Sequence, residues 1–262
     1  DEAAQAIEAA CWIAISRADR VILAGDHCQL PPTIKCIEAA RGGLGRTLLE
    51  KVVLHKPETV SLLKIQYRMH EDIMRFPSRW FYHDELEAAP EVKYRGILDF
   101  DTPVSWIDTS ELDLQEKAVA EGTGRLNTGE AELLVRELKN YMERIGIRRI
   151  LEEHIDFGVI SPYRAQVHYL RHLLKKEPFF RPCRRLITVH TVDGFQGQER
   201  DVIMISLVRA NEKGQIGFLR DLRRMNVAIT RARMKLLILG EAVTLTRHPF
   251  YRELYEYIGG LR

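Results

Sequence analysis

Phe157-Gly158-Val159-Ile160-Ser161-Pro162-Tyr163 is the stretch that decides the fold. Four apolar or small residues run unbroken into Ser-Pro, the form of a buried strand emptying into a loop. Directly behind it, Tyr163 to Lys176 has the spacing of a helix. Working outward, Val202-Ile-Met-Ile-Ser-Leu207 and Leu236-Leu-Ile-Leu239 repeat the strand pattern, and Val21-Ile-Leu-Ala24 does so before Gly25-Asp26. Asn127 to Ile145 carries Leu134, Leu138, Tyr141, Met142 and Ile145 on one face of a 3.6-residue period. Asn127-x-x-Glu130 opens this stretch like a capping box, and Gly146 stops it. Short apolar strands alternating with helices predict an α/β fold, a mostly parallel sheet with helices on both faces. Residues 84–106 are mixed around Trp106, residues 109–126 read as an exposed polar loop, and no repeat or low-complexity tract occurs.

The chain has 262 residues, which suits one large domain or two small ones. Hydrophobic residues at 45% and charged residues at 29% supply a core and exclude general disorder. Lys+Arg (39) nearly balance Asp+Glu (37), so a polybasic protein is excluded while a local basic groove is not. Cys11, Cys28, Cys36 and Cys183 fit neither a disulfide ladder nor a paired zinc motif. That favours a reducing, intracellular setting, cytoplasmic or in the nucleoid or nucleus. No apolar run reaches bilayer length and no signal peptide is present, so no membrane is expected. Asp1 opens the chain inside a motif and without Met, the expectation being a piece of a longer protein.

That first motif is Asp1-Glu2-Ala3-Ala4-Gln5. Adjacent carboxylates at a strand end suit Mg²⁺-assisted nucleotide hydrolysis, one holding the ion and the other deprotonating water. Taken alone, such a pair is ordinary solvated surface. Some twenty residues on comes Gly25-Asp26-His27-Cys28-Gln29-Leu30-Pro31-Pro32, where Gln29 is placed to sense a phosphate and the prolines stiffen the loop. Then follow Gln66-Tyr67-Arg68-Met69-His70, Thr191-Val-Asp-Gly-Phe-Gln-Gly-Gln-Glu199 and Asn226-Val-Ala-Ile-Thr-Arg-Ala-Arg233.

In this order the five segments resemble motifs II to VI of superfamily 1 helicases. The likeness is strongest to the branch of the nonsense-mediated-decay and immunoglobulin-mu-binding helicases, and it reaches from residue 1 to about residue 235. It implies a RecA-like (P-loop NTPase) fold, with residues 1–60 a remnant of the first motor domain and 61–262 the second. The implied activity is ATP-driven movement along single-stranded DNA or RNA, 5′→3′, with ATP and Mg²⁺ as cofactors. The missing N-terminal RecA-like domain of the same chain is the implied partner. By the same resemblance Asp1 holds Mg²⁺, Glu2 is the catalytic base and Gln29 reads the γ-phosphate. Tyr67 stacks near the base, Gly197 and Glu199 lie at the nucleotide, and Arg68 and Arg231 are the arginine fingers. Guanidinium forks suit charge spreading over phosphoryl oxygens, although a lone arginine is usually a surface ion pair.

Pro32 and Thr33 are implied strand contacts, as is Thr191. Ser161-Pro162-Tyr163 opens a helix, so its hydroxyl and amides can hold a nucleic-acid phosphate. Arg181, Arg184, Arg185, Arg220, Arg223 and Arg224 add local positive charge, and Trp12, Phe76, Trp80 and Phe195 suit the core as well as stacking. His168-x-x-x-His172 reads as solvated helix surface, His27-Cys28 has no orienting acid in sequence, and His70 and His83 have no evident partner.

The pattern departs from the family in one respect. No G-x-x-x-x-G-K-[S/T] phosphate loop occurs in residues 1–262. Arg41-Gly-Gly-Leu-Gly-Arg-Thr47 lacks the lysine and the spacing, and reads as a loop opening a helix over Leu48 to Val53. Residues 1–262 alone are therefore expected to bind ATP weakly and turn none over. Two rivals remain: the motor half of a helicase–nuclease, and a silent nucleic-acid-binding module. The sequence leaves DNA versus RNA open.

Overall fold

The computed structural model describes residues 1–119 and 124–261. The chain divides into two units, Asp1–Leu63 and Lys64–Arg262. In the first, helix α1 (Glu8–Ile15) buries no side chain. Helix α2 (Leu48–His55) starts at a complete capping box, since the Thr47 hydroxyl accepts from the Glu50 amide (3.1 Å) and the Glu50 carboxylate accepts from the Thr47 amide (2.9 Å). Its small core is Ala3, Ala4 and Leu49, with Leu23 and Val53 against them. Ala40–Leu44 coils as a kinked helical turn, broken at Gly43 (φ +99°), where a plain loop was expected. The expected strand at Val21–Ala24 is absent among the described residues of this unit. A ladder needs a neighbouring strand along at least one edge, and here a single backbone bond, from the Ala3 amide to the Ala24 carbonyl (2.8 Å), stands in for one.

The second unit opens with Ile65–Gln66, which pairs parallel with Glu87–Ala88, and with helix α3 (Glu71–Phe81), capped by the His70 ring, which accepts from the Asp72 amide. Then come β1 (Val104–Asp108), α4 (Thr128–Ile145), β2 (Phe157–Ser161), α5 (Arg164–Lys176), β3 (Ile187–Thr191), β4 (Arg200–Ser206), α6 (Leu222–Ile229), β5 (Ala232–Gly240) and α7 (Pro249–Gly259). The five strands form one sheet in the order β1-β5-β4-β2-β3, parallel throughout. Strand β2 is buried at all five positions, as a central parallel strand covered on both faces must be. Along β4, Val202 and Met204 point into a core with Leu134, Leu138 and Met142 of α4 and Val167 and Leu170 of α5. Ile203 and Ile205 point the other way and are equally buried. Phe76 of α3 meets Phe250 of α7 edge-on, with ring centroids 5.2 Å apart.

Three readings need correction. The mixed segment 84–106 runs into the edge strand β1, whose Trp106 is buried and donates from its indole to the Gly240 carbonyl (3.0 Å). Mixed composition hid it, because an edge strand need be apolar only on its core side. Residues 109–126 are not simply an exposed loop: Lys117–Ala118 pairs antiparallel with Arg125–Leu126, and residues 120–123 lie outside the described part. The capping box of α4 is only half made. Asn127 accepts from the Glu130 amide (3.0 Å), but the Glu130 carboxylate turns inward to the Ser206 hydroxyl (2.5 Å) and the Val208 amide (2.9 Å). Its burial raises the pKa to about 7, against the pull of those two donors.

Candidate nucleotide and nucleic-acid sites

In the second unit, the Gln66 side chain closes a tight turn on its own backbone. It accepts from the Arg68 and Met69 amides (2.8 and 2.7 Å) and donates to the Met69 carbonyl (2.8 Å). The His70 amide donates to the Arg233 carbonyl (2.8 Å), fixing this turn to β5. Tyr67 is thereby turned out to solvent. Arg68 turns inward, donating from Nε to the Glu199 carboxylate and from Nη1 to the Thr230 carbonyl (3.1 Å). Its Nη2 has no hydrogen-bond acceptor among the described residues, and about a third of its side chain is exposed.

Glu199 immediately precedes β4 and takes a second arginine, with Arg233 Nε and Nη2 donating at 2.9 and 2.8 Å. Burial would raise its pKa, but the hydrogen bonds and charges of Arg68 and Arg233 prevail and hold it below the ordinary carboxylate value. Arg233 also reaches Asp201 at 3.2 Å. Arg231 is buried and donates from Nε to the Val227 carbonyl (3.0 Å), from Nη1 to the Gln198 carbonyl (3.3 Å) and from Nη2 to the Thr230 hydroxyl (3.1 Å). Gly197 lies in the exposed turn just before Gln198. The segments around Arg68, Glu199 and Arg231, more than 160 residues apart at the extremes, thus join in one hydrogen-bonded cluster. Sequence reading missed Arg233, although it stands two residues beyond Arg231 where a strand returns its side chain to one face.

Ser161 and Thr191 are register partners at the carboxyl ends of β2 and β3. The Thr191 hydroxyl accepts from the Gly194 amide (3.4 Å) and caps a short helical turn. Ser161 is fully buried, Pro162 partly so, and Tyr163 is buried with its hydroxyl accepting from Arg209 Nη1 (3.3 Å). Arg223 and Arg224 are paired with Asp221 and so are not free cations, whereas Arg181, Arg184, Arg185 and Arg220 are exposed. Phe76 and Phe195 are core, Trp80 is half-buried, and Trp12 is exposed. His168 and His172 are both solvated.

In the first unit, Asp1 and Glu2 are exposed, and the Glu2 amide donates to the Asp1 carboxylate (2.8 Å). Gly25 lies against them: a Cβ there would stand 2.9 Å from the Ala3 amide nitrogen. Two motifs twenty residues apart therefore meet backbone to backbone, which only glycine allows. Asp26 holds the Gln29 side-chain amide at 2.8 Å and accepts from the Cys28 amide at 2.9 Å. Pro32 is half-buried and Thr33 exposed. Asp26, His27 and Cys28 place donor atoms within 4.8 Å of one another, so an acid does stand beside His27-Cys28.

The parallel five-stranded sheet with its helices is a RecA-like fold, and it gathers the arginines of two motifs on a glutamate at one strand's start. A family profile described as AAA domain matches residues 44–243, and a second of the same description matches residues 1–36; the chain belongs to this family of superfamily 1 helicase domains. It is 37% identical to DNA-binding protein SMUBP-2 of Rattus norvegicus, over 98% of this chain and 26% of that protein. It is 38% identical to DNA polymerase alpha-associated DNA helicase A of Saccharomyces cerevisiae, over 94% of this chain and 38% of that one. With the Regulator of nonsense transcripts 1 homolog of Drosophila melanogaster the identity is 35%, over 98% and 22%. The chain therefore spans between 22% and 38% of the length of these relatives. Among solved structures, the helicase of PRRSV aligns with a TM-score of 0.47 at 17% identity, over 94% of this chain and 35% of that chain. No helix among the described residues is long and apolar enough to cross a membrane.

Proposed function

We propose that this chain carries part of an ATP-driven motor that moves along single-stranded nucleic acid in the 5′→3′ direction. Residues 1–60 are read as belonging to the first motor domain and residues 61–262 to the second. The observation that carries the reading is the Arg68–Glu199–Arg233 cluster with Arg231 anchored beside it. Glu199 stays ionised between two guanidiniums and orients Arg68, leaving one free nitrogen edge for a phosphoryl oxygen. Arg231 plays the second finger by exchanging its carbonyl acceptors for phosphate. Tyr67, exposed on the same turn, stacks on the base, and Gly197 and Glu199 flank the sugar.

The exposed Asp1 and Glu2 carboxylates fit a hard divalent cation. Asp1 would hold Mg²⁺, which when bound screens phosphate charge, and Glu2 takes the proton of the attacking water. Gln29, oriented by Asp26, senses the γ-phosphate. The Thr191 hydroxyl, with Pro32 and Thr33 of the first unit, is read as gripping strand phosphates, whereas the Ser161 and Tyr163 side chains are buried and contribute no hydroxyl to that grip. SMUBP-2 is by name DNA-binding and the Drosophila relative is by name a regulator of transcripts, so both strand types belong in the test.

The full-length protein is expected to show ATP turnover stimulated by a single-stranded oligonucleotide. Glu2→Gln should abolish that turnover while strand binding persists. A wild-type protein that binds strand and shows no stimulated turnover would leave only the silent binding module.

A further inference from the structure

The sheet reverses its winding at β2, since β3 lies to one side of it and β4, β5 and β1 to the other. The carboxyl ends of β2 and β4 therefore flank a switch-point crevice, where doubly wound sheets take their ligands. A cavity of about 420 Å³ lies there, lined by Tyr163 just after β2 and by Arg209 just after β4, together with Arg125, Gly217, Phe218 and Arg220.

Its walls are built with some care for charge and shape. Arg209 is buried, pairs with Glu116 at 2.8 Å and donates to the Tyr163 hydroxyl. Glu116 also pairs with Arg125 (3.3 Å) and accepts from the Ala210 amide (2.9 Å). Three guanidiniums thus face one carboxylate, and the cavity is net positive. Gly217 has φ +55°, and a Cβ on it would stand 2.4 Å from Arg209 Nη1 and 2.8 Å from the Tyr163 oxygen. Only glycine lets the backbone close the floor here. Phe218 leans on Tyr163 with centroids 5.6 Å apart yet stays 42% exposed, and Arg220 is exposed with no ion pair among the described residues. A second cavity of equal volume beside β3 lacks these features. Its Arg171 is spent on the Val189 carbonyl, Arg184 on the Lys175 carbonyl, and its Phe180 is buried.

We propose that the switch-point cavity holds one nucleotide of the single strand, with the base on Phe218 and its phosphate on Arg125 and Arg220. A part-exposed aromatic ring with a guanidinium beside it, here Phe218 with Arg224 5.9 Å from its centroid and Arg220 nearby, is the pairing that single-strand sites use, and it accepts any base. This rests on the nucleic-acid reading of Thr191, and it adds a residue-level subsite lined by Tyr163, Phe218 and Arg220.

The test is photo-crosslinking of a 4-thiothymidine oligonucleotide to the protein, with equilibrium binding of the same strand to variants. The adduct is expected on the peptide spanning residues 209–220. Phe218→Ala should weaken binding on the order of tenfold, and should cost nothing further on an abasic strand. Arg220→Gln should lower the slope of log affinity against log salt by about one. Should Thr191→Ala weaken binding while Phe218→Ala and Arg220→Gln bind like wild type, the cavity assignment falls and the strand reading stands. No binding by wild type would sink both. Loss of the 209–220 adduct on adding ATP at millimolar concentration, with the strand still bound, would assign the cavity to a free nucleotide and overturn the proposal.

Discussion

Val21-Ile22-Leu23-Ala24 and Phe157-Gly158-Val159-Ile160 read alike, and only the second became a strand. Strand β2 exchanges backbone bonds with β3 on one edge and β4 on the other, and every side chain is buried. Residues 21–24 form no ladder, and Ile22 is 86% exposed. Hydrophobic runs supply the burial, but the ladder must come from neighbours. The candidate functional residues divide the same way. In the first unit Glu2 and Gln29 stand on loops held by Asp26 and by the close approach at Gly25. In the second, Glu199, Arg231 and Arg233 sit at the ends of adjacent parallel strands, where the sheet fixes them. A site built on strand ends inherits the rigidity of its ladder; one built on loops depends on a few side-chain bonds.

Substitution can break this comparison at its strongest point. Val159→Asp would bury a carboxylate without a partner inside β2 and should cost more than about 4 kcal/mol, seen as loss of the cooperative urea transition. A smaller effect should come from Glu130. Its pKa is raised from 4.5 to about 7, so the folded state keeps a proton that the unfolded chain releases. This group's contribution to stability therefore falls as pH rises through that window and is flat above it. Glu130→Gln should shrink the difference in urea stability between pH 5 and pH 8 by roughly 2 kcal/mol. An unchanged difference would mean that Glu130 is ionised throughout. Least of all should come from Ile22→Asp, within about 0.5 kcal/mol of wild type. A loss comparable to that of Val159→Asp would show that residues 21–24 are core after all.

Much of the second unit was legible in sequence because its strands and helices are locally consistent: β2, α4, α5, β4 and β5 all lie where apolar runs and periodicity put them. Strand β1 was not, since an edge strand alternates with polar residues and its Trp106 seat depends on Gly240, 134 residues away. The inward turn of Glu130 was hidden for a similar reason: the spacing signals a cap, while the acceptor's choice between its own helix and Ser206 is made by packing. Motif order named Arg68, Glu199 and Arg231 but not Arg233, and the pairing of Glu199 with both Arg68 and Arg233 is a tertiary fact. The cavity between Tyr163 and Phe218 was likewise invisible, because Glu116 lies in a segment that reads as loop and Arg209 and Gly217 fall outside every expected element.

Arg68 offers the most direct measurement of the central claim, that the cluster around Glu199 aims a guanidinium at phosphate. Its side chain is partly exposed, and Glu199 keeps Arg233 when it is removed, so Arg68→Ala should fold. In the full-length protein with saturating single strand, kcat for ATP should fall on the order of 10³-fold, because the contact belongs to the transition state. Strand affinity without nucleotide should stay within about twofold, since the proposed strand contacts lie elsewhere, at Thr191. Near-normal turnover in Arg68→Ala would contradict the account, leaving Arg68 a structural partner of Glu199 and nothing more.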